Sequence, residues 1–336
     1  MSTGIKYIKP LGFPWVTQDP FLFCVHHLDH YPEGNAEMGP KTPLHGRHLG
    51  NDFTLKDGFR MYHGKKVPGF PAHPHRGFET ITIVEQGFVD HSDSLGATAR
   101  FAKGDVQWMT AGSGIQHSEM FPLVHQDKPN TLEIFQIWLN LPARSKLVKP
   151  HFKMLWSDTL AVIADGRPGP EVRIVAIAGS HYGYGGQVHS RTSWAADPIN
   201  HVAVFRVDMQ PGAAFSLPPA PVGVNRSVYV YDQDLEINGA LIASEHVAEM
   251  EAGVVTRMKC GSKGAKLLVL QGRPIGEPVV QYGPFVMNSE REIEEAYRDF
   301  EKTQWGGWPW PSPDPVHDRN RGRFAVYPDG RVDTPD

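Results

Sequence analysis

Cysteine is almost absent. The 336 residues hold only two, Cys24 and Cys260. They lie far apart and carry no CxxC spacing, which excludes a disulfide framework. A surplus of one charge is also missing: 33 Lys and Arg stand against 37 Asp and Glu, a net of −4. A chain built to grip phosphates would be basic, so direct nucleic-acid binding is not expected. No apolar run approaches the ~18 residues of a membrane span. Residues 1–20 lack the basic start, apolar run and small-residue cleavage site of a secretory leader. These absences point to a protein of a reducing compartment with no membrane partner, cytoplasmic by expectation and open to the nucleus in a eukaryotic source.

Turn-forming residues are plentiful. The chain has 34 Gly and 29 Pro, above the roughly 12% that the two usually share. With 40% hydrophobic and 21% charged residues, it has material for a real core and is not disordered. Short β-branched and apolar runs recur between turn residues. Residues 78–89 alternate as a strand that Gly87 ends or bulges; further strands are expected at 106–109, 132–139, 172–178, 203–209, 227–231, 235–237 and 265–270. Residues 141–150 read as a linker, and 180–198 as an irregular loop. One helix is signalled: Ser289 with Glu292 forms a capping box, and Ile293, Ala296, Tyr297 and Phe300 share one face. The tail that follows, with Trp305, Trp308 and Trp310, is expected to pack its tryptophans onto the domains, and the last stretch to be polar and turn-rich.

The 17 histidines matter by position. In His73-Pro74-His75 two imidazoles stand at i and i+2, on one face of an extended chain. His117-Ser118-Glu119 repeats the spacing with an imidazole and a carboxylate. Two such pairs on neighbouring strands can bring four ligands to one point. Three imidazoles and a carboxylate suit a divalent transition metal with positions left open. An HxH pair alone is more often a surface turn; the two pairs together are not. Glu79 is a further ligand candidate by spacing, whereas Glu85 reads as a solvated strand-end charge.

Residues 73–80 (His-Pro-His-Arg-Gly-Phe-Glu-Thr), then Gly87, His91-Ser-Asp-Ser94, Gly96 and the run from Gly104 through Gly114-Ile115-Gln116-His117 to Glu119 closely resemble the pirin family of the cupin superfamily. Residues 276–288, the helix after them and Gly306-Gly-Trp-Pro-Trp310 are similar to the pirin C-terminal signature. The resemblance implies an all-β bicupin, two β-sandwich barrels packed face to face with a short C-terminal helix and tail. The expected domains are an N-terminal metal-binding barrel at 1–145, a C-terminal barrel at 146–287 and the helix and tail at 288–336. It implies one metal, most often Fe(II), held by His73, His75, His117 and Glu119. The family does not usually use the residue matching Glu79, and the family pattern is followed. No histidine pair stands between residues 211 and 231 and His246 is isolated, so the second barrel is expected to be metal-free.

Other candidates have plainer readings. Cys24 lacks a partner that would make it a nucleophile, and a buried structural thiol is expected. Gly112-Ser113-Gly114 is not a nucleophile elbow, and 182–186 lacks nucleotide-loop spacing, so no nucleotide cofactor is expected. His91, Asp93 and Ser94 either orient the ligands or form a simple turn. His26, His27 and His30 either line the barrel mouth or form a satisfied turn, the plainer reading.

Two functions follow from the resemblance. One is a quercetin 2,3-dioxygenase-like enzyme that opens the central ring of a flavonol, with Glu119 as ligand and general base and Phe78, Trp108 and Met109 as apolar walls. The alternative is an iron-dependent redox-sensing regulator that binds a protein partner without turnover. The balanced charge suits a protein partner better than a direct nucleic-acid one.

Overall fold

The computed structural model describes residues 3–164, 171–181, 184–185 and 190–335. Residues 182–183 and 186–189, which fall in the Gly-rich stretch and the expected loop at 180–198, lie outside them. The fold is mostly β-strand, with two cupin-like β-sheet domains and one short C-terminal helix. Contacts sort the chain into two compact units that are not continuous in sequence. The first comprises Met1–Val25, Trp138–Pro142 and Thr159–Gly276; the second comprises His26–Ile137, Ala143–Asp158 and Glu277–Asp336.

In the first unit a seven-stranded sheet runs in the order Ile5–Pro10, His246–Glu251, Asn225–Asp232, Ala265–Gly272, Ala203–Met209, Val172–Ala178, Ala161–Ala164. A four-stranded sheet, Ala214–Leu217, Thr256–Cys260, Leu235–Ile237, Ala240–Ile242, packs against it. Thr256–Cys260 shows why: Thr256, Met258 and Cys260 are buried and Arg257 and Lys259 exposed, the alternation of a half-buried strand. The space between the sheets is filled by apolar side chains from both, including Phe205, Val228, Phe215, Leu217 and Met258. Cys24 and Cys260 are both buried and free, and burial pushes the Cys24 thiol pKa up.

In the second unit the Phe78–Gln86 strand lies centrally in a five-stranded sheet, between Asp105–Thr110 and Asn130–Asn140. The other sheet orders Val332–Asp333, Phe324–Val326, Thr98–Ala102, Phe88–Asp93, Ile115–Met120, Gly69–His75. A shared core of Val84, Ile134, Phe152, Val89, Phe101 and Ala325 joins the two. Most expected strands form within a residue or two, and Gly87 separates Phe78–Gln86 from Phe88–Asp93 as read. Three readings change. His26, His27 and His30 lie in the Phe21–Tyr31 strand, not in a turn. Directly after the linker-like stretch 141–150, where no strand is expected, His151–Leu155 forms one and pairs with Asp105–Thr110. The polar tail supplies Phe324–Val326, which pairs with Thr98–Ala102.

The helix spans Glu290–Thr303 with Ser289 as its N-cap, accepting from the Glu292 N–H. The Glu292 carboxylate accepts from the Asn288 N–H at 3.0 Å and the Ser289 hydroxyl at 2.9 Å. It therefore satisfies an amide one residue earlier than a standard capping box. Ile293 and Ala296 are buried, and Tyr297 and Phe300 pack with them on Phe285.

A buried ion pair anchors the tail. Arg100 Nε and Nη2 reach both Asp90 oxygens at 2.6 and 2.7 Å, with both side chains fully buried. The guanidinium also donates to the carbonyls of His317, Asp318 and Arg321. Arg100→Met leaves the Asp90 carboxylate buried without its cation, a change that usually costs about 3–5 kcal/mol. A lower urea midpoint and faster proteolysis after Arg319 or Arg321 are expected; an unchanged midpoint would refute the anchoring role.

Candidate metal centre

The Gly69–His75 and Ile115–Met120 strands pair antiparallel, with His73 opposite His117. Period two places His75 on the same face as His73. A register shift between Phe70 and His73 bends the strand at the site. The result is a group of three ligand atoms, from His73, His75 and His117, all within 4.8 Å of one another. His75 and His117 are buried and His73 half-buried.

Each imidazole must place one N–H and one lone pair when neutral. Nδ1 of His73 lies 2.9 Å from the Pro71 carbonyl, and Nδ1 of His75 lies 3.3 Å from that of Pro284. A carbonyl only accepts, so both Nδ1 atoms carry the proton and both Nε2 atoms keep a lone pair. Neither nitrogen of His117 has a hydrogen-bond partner. Burial is the main cause holding all three neutral: it lowers the His73 pKa to about 4 and those of His75 and His117 well below their ordinary range, and neighbouring imidazoles add to the shift. Three neutral imidazoles with converging lone pairs and an unpartnered buried nitrogen form a donor set that fits a divalent transition metal.

Glu119 follows His117 by two residues, and burial raises its pKa. Its carboxylate accepts from the Thr82 hydroxyl at 2.9 Å and is not among the atoms within the three-imidazole group. Thr82 also lies 2.8 Å from Gln136 Oε1 and 3.3 Å from Gln107 Oε1. Glu79 is likewise outside the group, accepting from the Thr110 hydroxyl at 2.6 Å. Phe78 meets the His75 ring edge-on at 5.1 Å. Met109 instead belongs to a small core with Ala111 and Ile115, and Trp108 is buried.

The turn after the histidines is held from several directions. Gly77 has φ +89, and a Cβ there would fall on the Val286 carbonyl, so only glycine fits. The buried Lys146 ammonium donates to the Gly77 and Val286 carbonyls at 2.9 and 3.0 Å, and burial lowers its pKa to about 8. Arg76 donates to the Ser113 carbonyl and to Asp299, and lies over the Trp305 ring. Trp310 Nε1 donates to the Asp93 carbonyl at 2.8 Å. Pro71, Pro284, Thr82 and Lys146 were not found by sequence reasoning. Backbone acceptors have no residue-type signature, and a lone Lys or Thr carries no spacing.

His27 and His26 have other partners. His27 Nδ1 lies 2.8 Å from the Tyr62 hydroxyl, which donates to Asp29 at 2.6 Å; burial lowers the His27 pKa to about 3. His26 meets Glu133 at 3.1 Å and stacks on Phe135. His30 is exposed.

The chain matches a family model described as Pirin over residues 18–139 and one described as Pirin C-terminal cupin domain over residues 204–306. It is 37% identical over 244 residues to Pirin-1 of Arabidopsis thaliana, covering 71% of this chain and 78% of that protein. It is 34% identical over 261 residues to Pirin of Homo sapiens, covering 76% and 82%. A solved structure of quercetin 2,3-dioxygenase from Acinetobacter baumannii matches with a TM-score of 0.68 at 27% identity, covering 90% of this chain and 96% of that one. Among the described residues no helix is long and apolar enough to cross a membrane.

The donor set predicts about one transition metal per chain, with a rise in thermal stability on loading because only the folded state assembles the site. His117→Ala should remove most of that metal; full retention by elemental analysis would refute the ligand set. A second expectation concerns pH. Unfolded imidazoles take up protons near pH ~6.5, but the folded His73 does so only at about 4. Above the unfolded value neither state binds these protons and the metal-free fold keeps its full stability. As pH falls toward the folded values the unfolded chain gains protons first and stability declines. The urea midpoint of metal-free protein should therefore drop between about pH 7 and about pH 5; a flat profile would show that the imidazoles are not held neutral.

Proposed function

Because this chain belongs to the pirin family, we propose that its metal-dependent cupin centre is that of a dioxygenase opening the central ring of a flavonol such as quercetin. The observation that carries the proposal is the convergence of three neutral imidazoles, supported by likeness to a solved quercetin 2,3-dioxygenase. His73, His75 and His117 would hold the metal, Fe(II) being the family's usual one. When bound it would supply Lewis acidity toward an enolic hydroxyl and one-electron chemistry toward dioxygen.

The chain's own residues set the rest. Glu119 is proposed as the fourth ligand and as the base that takes the flavonol 3-hydroxyl proton. Burial raises its pKa, which brings a carboxylate closer to the basicity that proton abstraction near neutral pH requires. The Thr82 hydroxyl holds one carboxylate oxygen and leaves the other to act. Phe78 shields His75. Beside His73 stands the Phe70 ring, in tilted contact at 6.2 Å, and the Phe53 and His63 rings pack on Phe70 and on each other at 5.0–6.2 Å. Phe53 and His63 are exposed and Phe70 half-buried, so flat aromatic surface is available next to the half-buried ligand.

Iron-loaded protein should consume quercetin, read as loss of its absorbance, only when dioxygen is present. Glu119→Gln keeps an oxygen donor of similar size and removes the base. Turnover should fall by roughly 10²-fold or more, with metal content falling far less than in His117→Ala. Iron-loaded wild type that leaves quercetin intact overturns the enzyme reading. Normal turnover by Glu119→Gln overturns the role given to Glu119.

A further inference from the structure

The third ligand, His117, lacks the backbone acceptor that each of its partners has, and the structure offers one substitute. His91 is fully buried on Phe88–Asp93, beside Ile115–Met120, with its ring centre 5.5 Å from that of His117. Its Nε2 lies 3.2 Å from Asp93 Oδ2. The other Asp93 oxygen accepts from the Leu95 and Ala97 amides at 2.9 and 3.0 Å. A carboxylate so engaged is an acceptor, so His91 Nε2 carries the proton and His91 Nδ1 holds a lone pair. That Nδ1 is buried and has no partner. When His117 gives one lone pair to a metal, its other nitrogen carries an N–H, which also has no partner. One unmatched donor and one unmatched acceptor thus sit on neighbouring buried rings.

We propose that Asp93, His91 and His117 form one hydrogen-bonded chain, in which Asp93 fixes the His91 tautomer and His91 accepts the His117 N–H opposite the metal. Two imidazoles joined by an N–H···N bond of ~2.9 Å have centres roughly 5 Å apart, close to the 5.5 Å between the His91 and His117 rings. His91 stacks on Phe152 at 4.9 Å with an interplanar angle of 16°, which fixes its plane while leaving its edge free to point at His117. His91 and Asp93 are positioning residues: they act through His117, orienting it and increasing its basicity toward the metal. The inference rests on the metal-binding reading of the three histidines.

Asp93→Asn tests the tautomer argument. The Asn carbonyl can still accept from Leu95 and Ala97, but its NH₂ now faces His91 and donates. The His91 proton must then move to Nδ1, where it opposes the His117 N–H. Imidazole ¹⁵N spectra of metal-free protein should place the His91 proton on Nε2 in the wild type and on Nδ1 in Asp93→Asn. Co(II) affinity, measured by competition with a chelating dye, should fall about 10–100-fold, the usual effect of losing such a partner. His91→Phe, which keeps the stack on Phe152 and has no acceptor, should show the same loss and decides the matter if Asp93→Asn does not fold. A His91 proton on Nδ1 in the wild type overturns the proposal. So does Co(II) affinity in folded Asp93→Asn or His91→Phe within twofold of wild type, while the metal reading stands. Wild-type protein that binds no Co(II) overturns the metal reading and the proposal together.

Discussion

Three imidazoles packed side by side, two of them buried and one half-buried, are held neutral, and a neutral imidazole has one N–H and one lone pair to place. That requirement governs the second unit. If the N–H of each ring finds an acceptor on one side, its lone pair is aimed at the other. Pro71 and Pro284 provide such acceptors for His73 and His75. His73, His75 and His117 would then offer a metal three neighbouring lone pairs, with no proton to be displaced at neutral pH. Glu119 stands two residues along the strand from His117, where burial raises its pKa.

The same requirement gives the C-terminal segment a purpose beyond covering the core. Pro284 lies at the turn of the hairpin formed by Val280–Tyr282 and Phe285–Met287. It is distant in sequence from His75 and can act only if that hairpin is fixed. Lys146 ties Gly77 to Val286, and the Val286 N–H donates to the Arg76 carbonyl. The Glu290–Thr303 helix packs Ile293 and Ala296 onto Phe285 and Met287. Asp299 on that helix pairs with Arg76, the residue after His75. Helix, hairpin and histidine turn thus form one set of mutual constraints. Together they hold the Pro284 carbonyl against His75 Nδ1.

Local patterns revealed what local patterns control. The i,i+2 histidines lie on one face, Ser289 caps the helix, Gly87 ends a strand, and Ala203–Met209 and Val172–Ala178 begin and end where their apolar runs do. Long-range pairing was not legible. Nothing in Ile5–Pro10, five of whose six residues are exposed, announces that it pairs with His246–Glu251. The Phe324–Val326 strand looked like polar tail because three residues are too few to show a period. The His26–His30 stretch looked like a turn because it is rich in polar rings, yet its neighbours Phe21, Cys24, Val25 and Tyr31 are buried. Tertiary partners decided it: Tyr62 for His27 and Glu133 for His26.

The two units show how little of the chemistry the sheet framework itself dictates. Each packs two antiparallel sheets over a shared interior. In the first unit the Ala214–Leu217 strand turns Phe215 and Leu217 into an interior completed by Val207, Val228 and Met258. Such an interior gains stability simply by excluding water. In the second, Thr82, Glu119, His91, Asp93 and His117 are all buried between comparable sheets. Each of these polar atoms costs free energy unless a partner meets it. The Thr82–Glu119 and His91–Asp93 contacts meet part of that demand, and the unmatched nitrogens of His117 and His91 mark the part left over. An interior that accepts this cost, while its counterpart is filled largely by apolar side chains, is the one that holds three imidazoles able to coordinate a divalent metal.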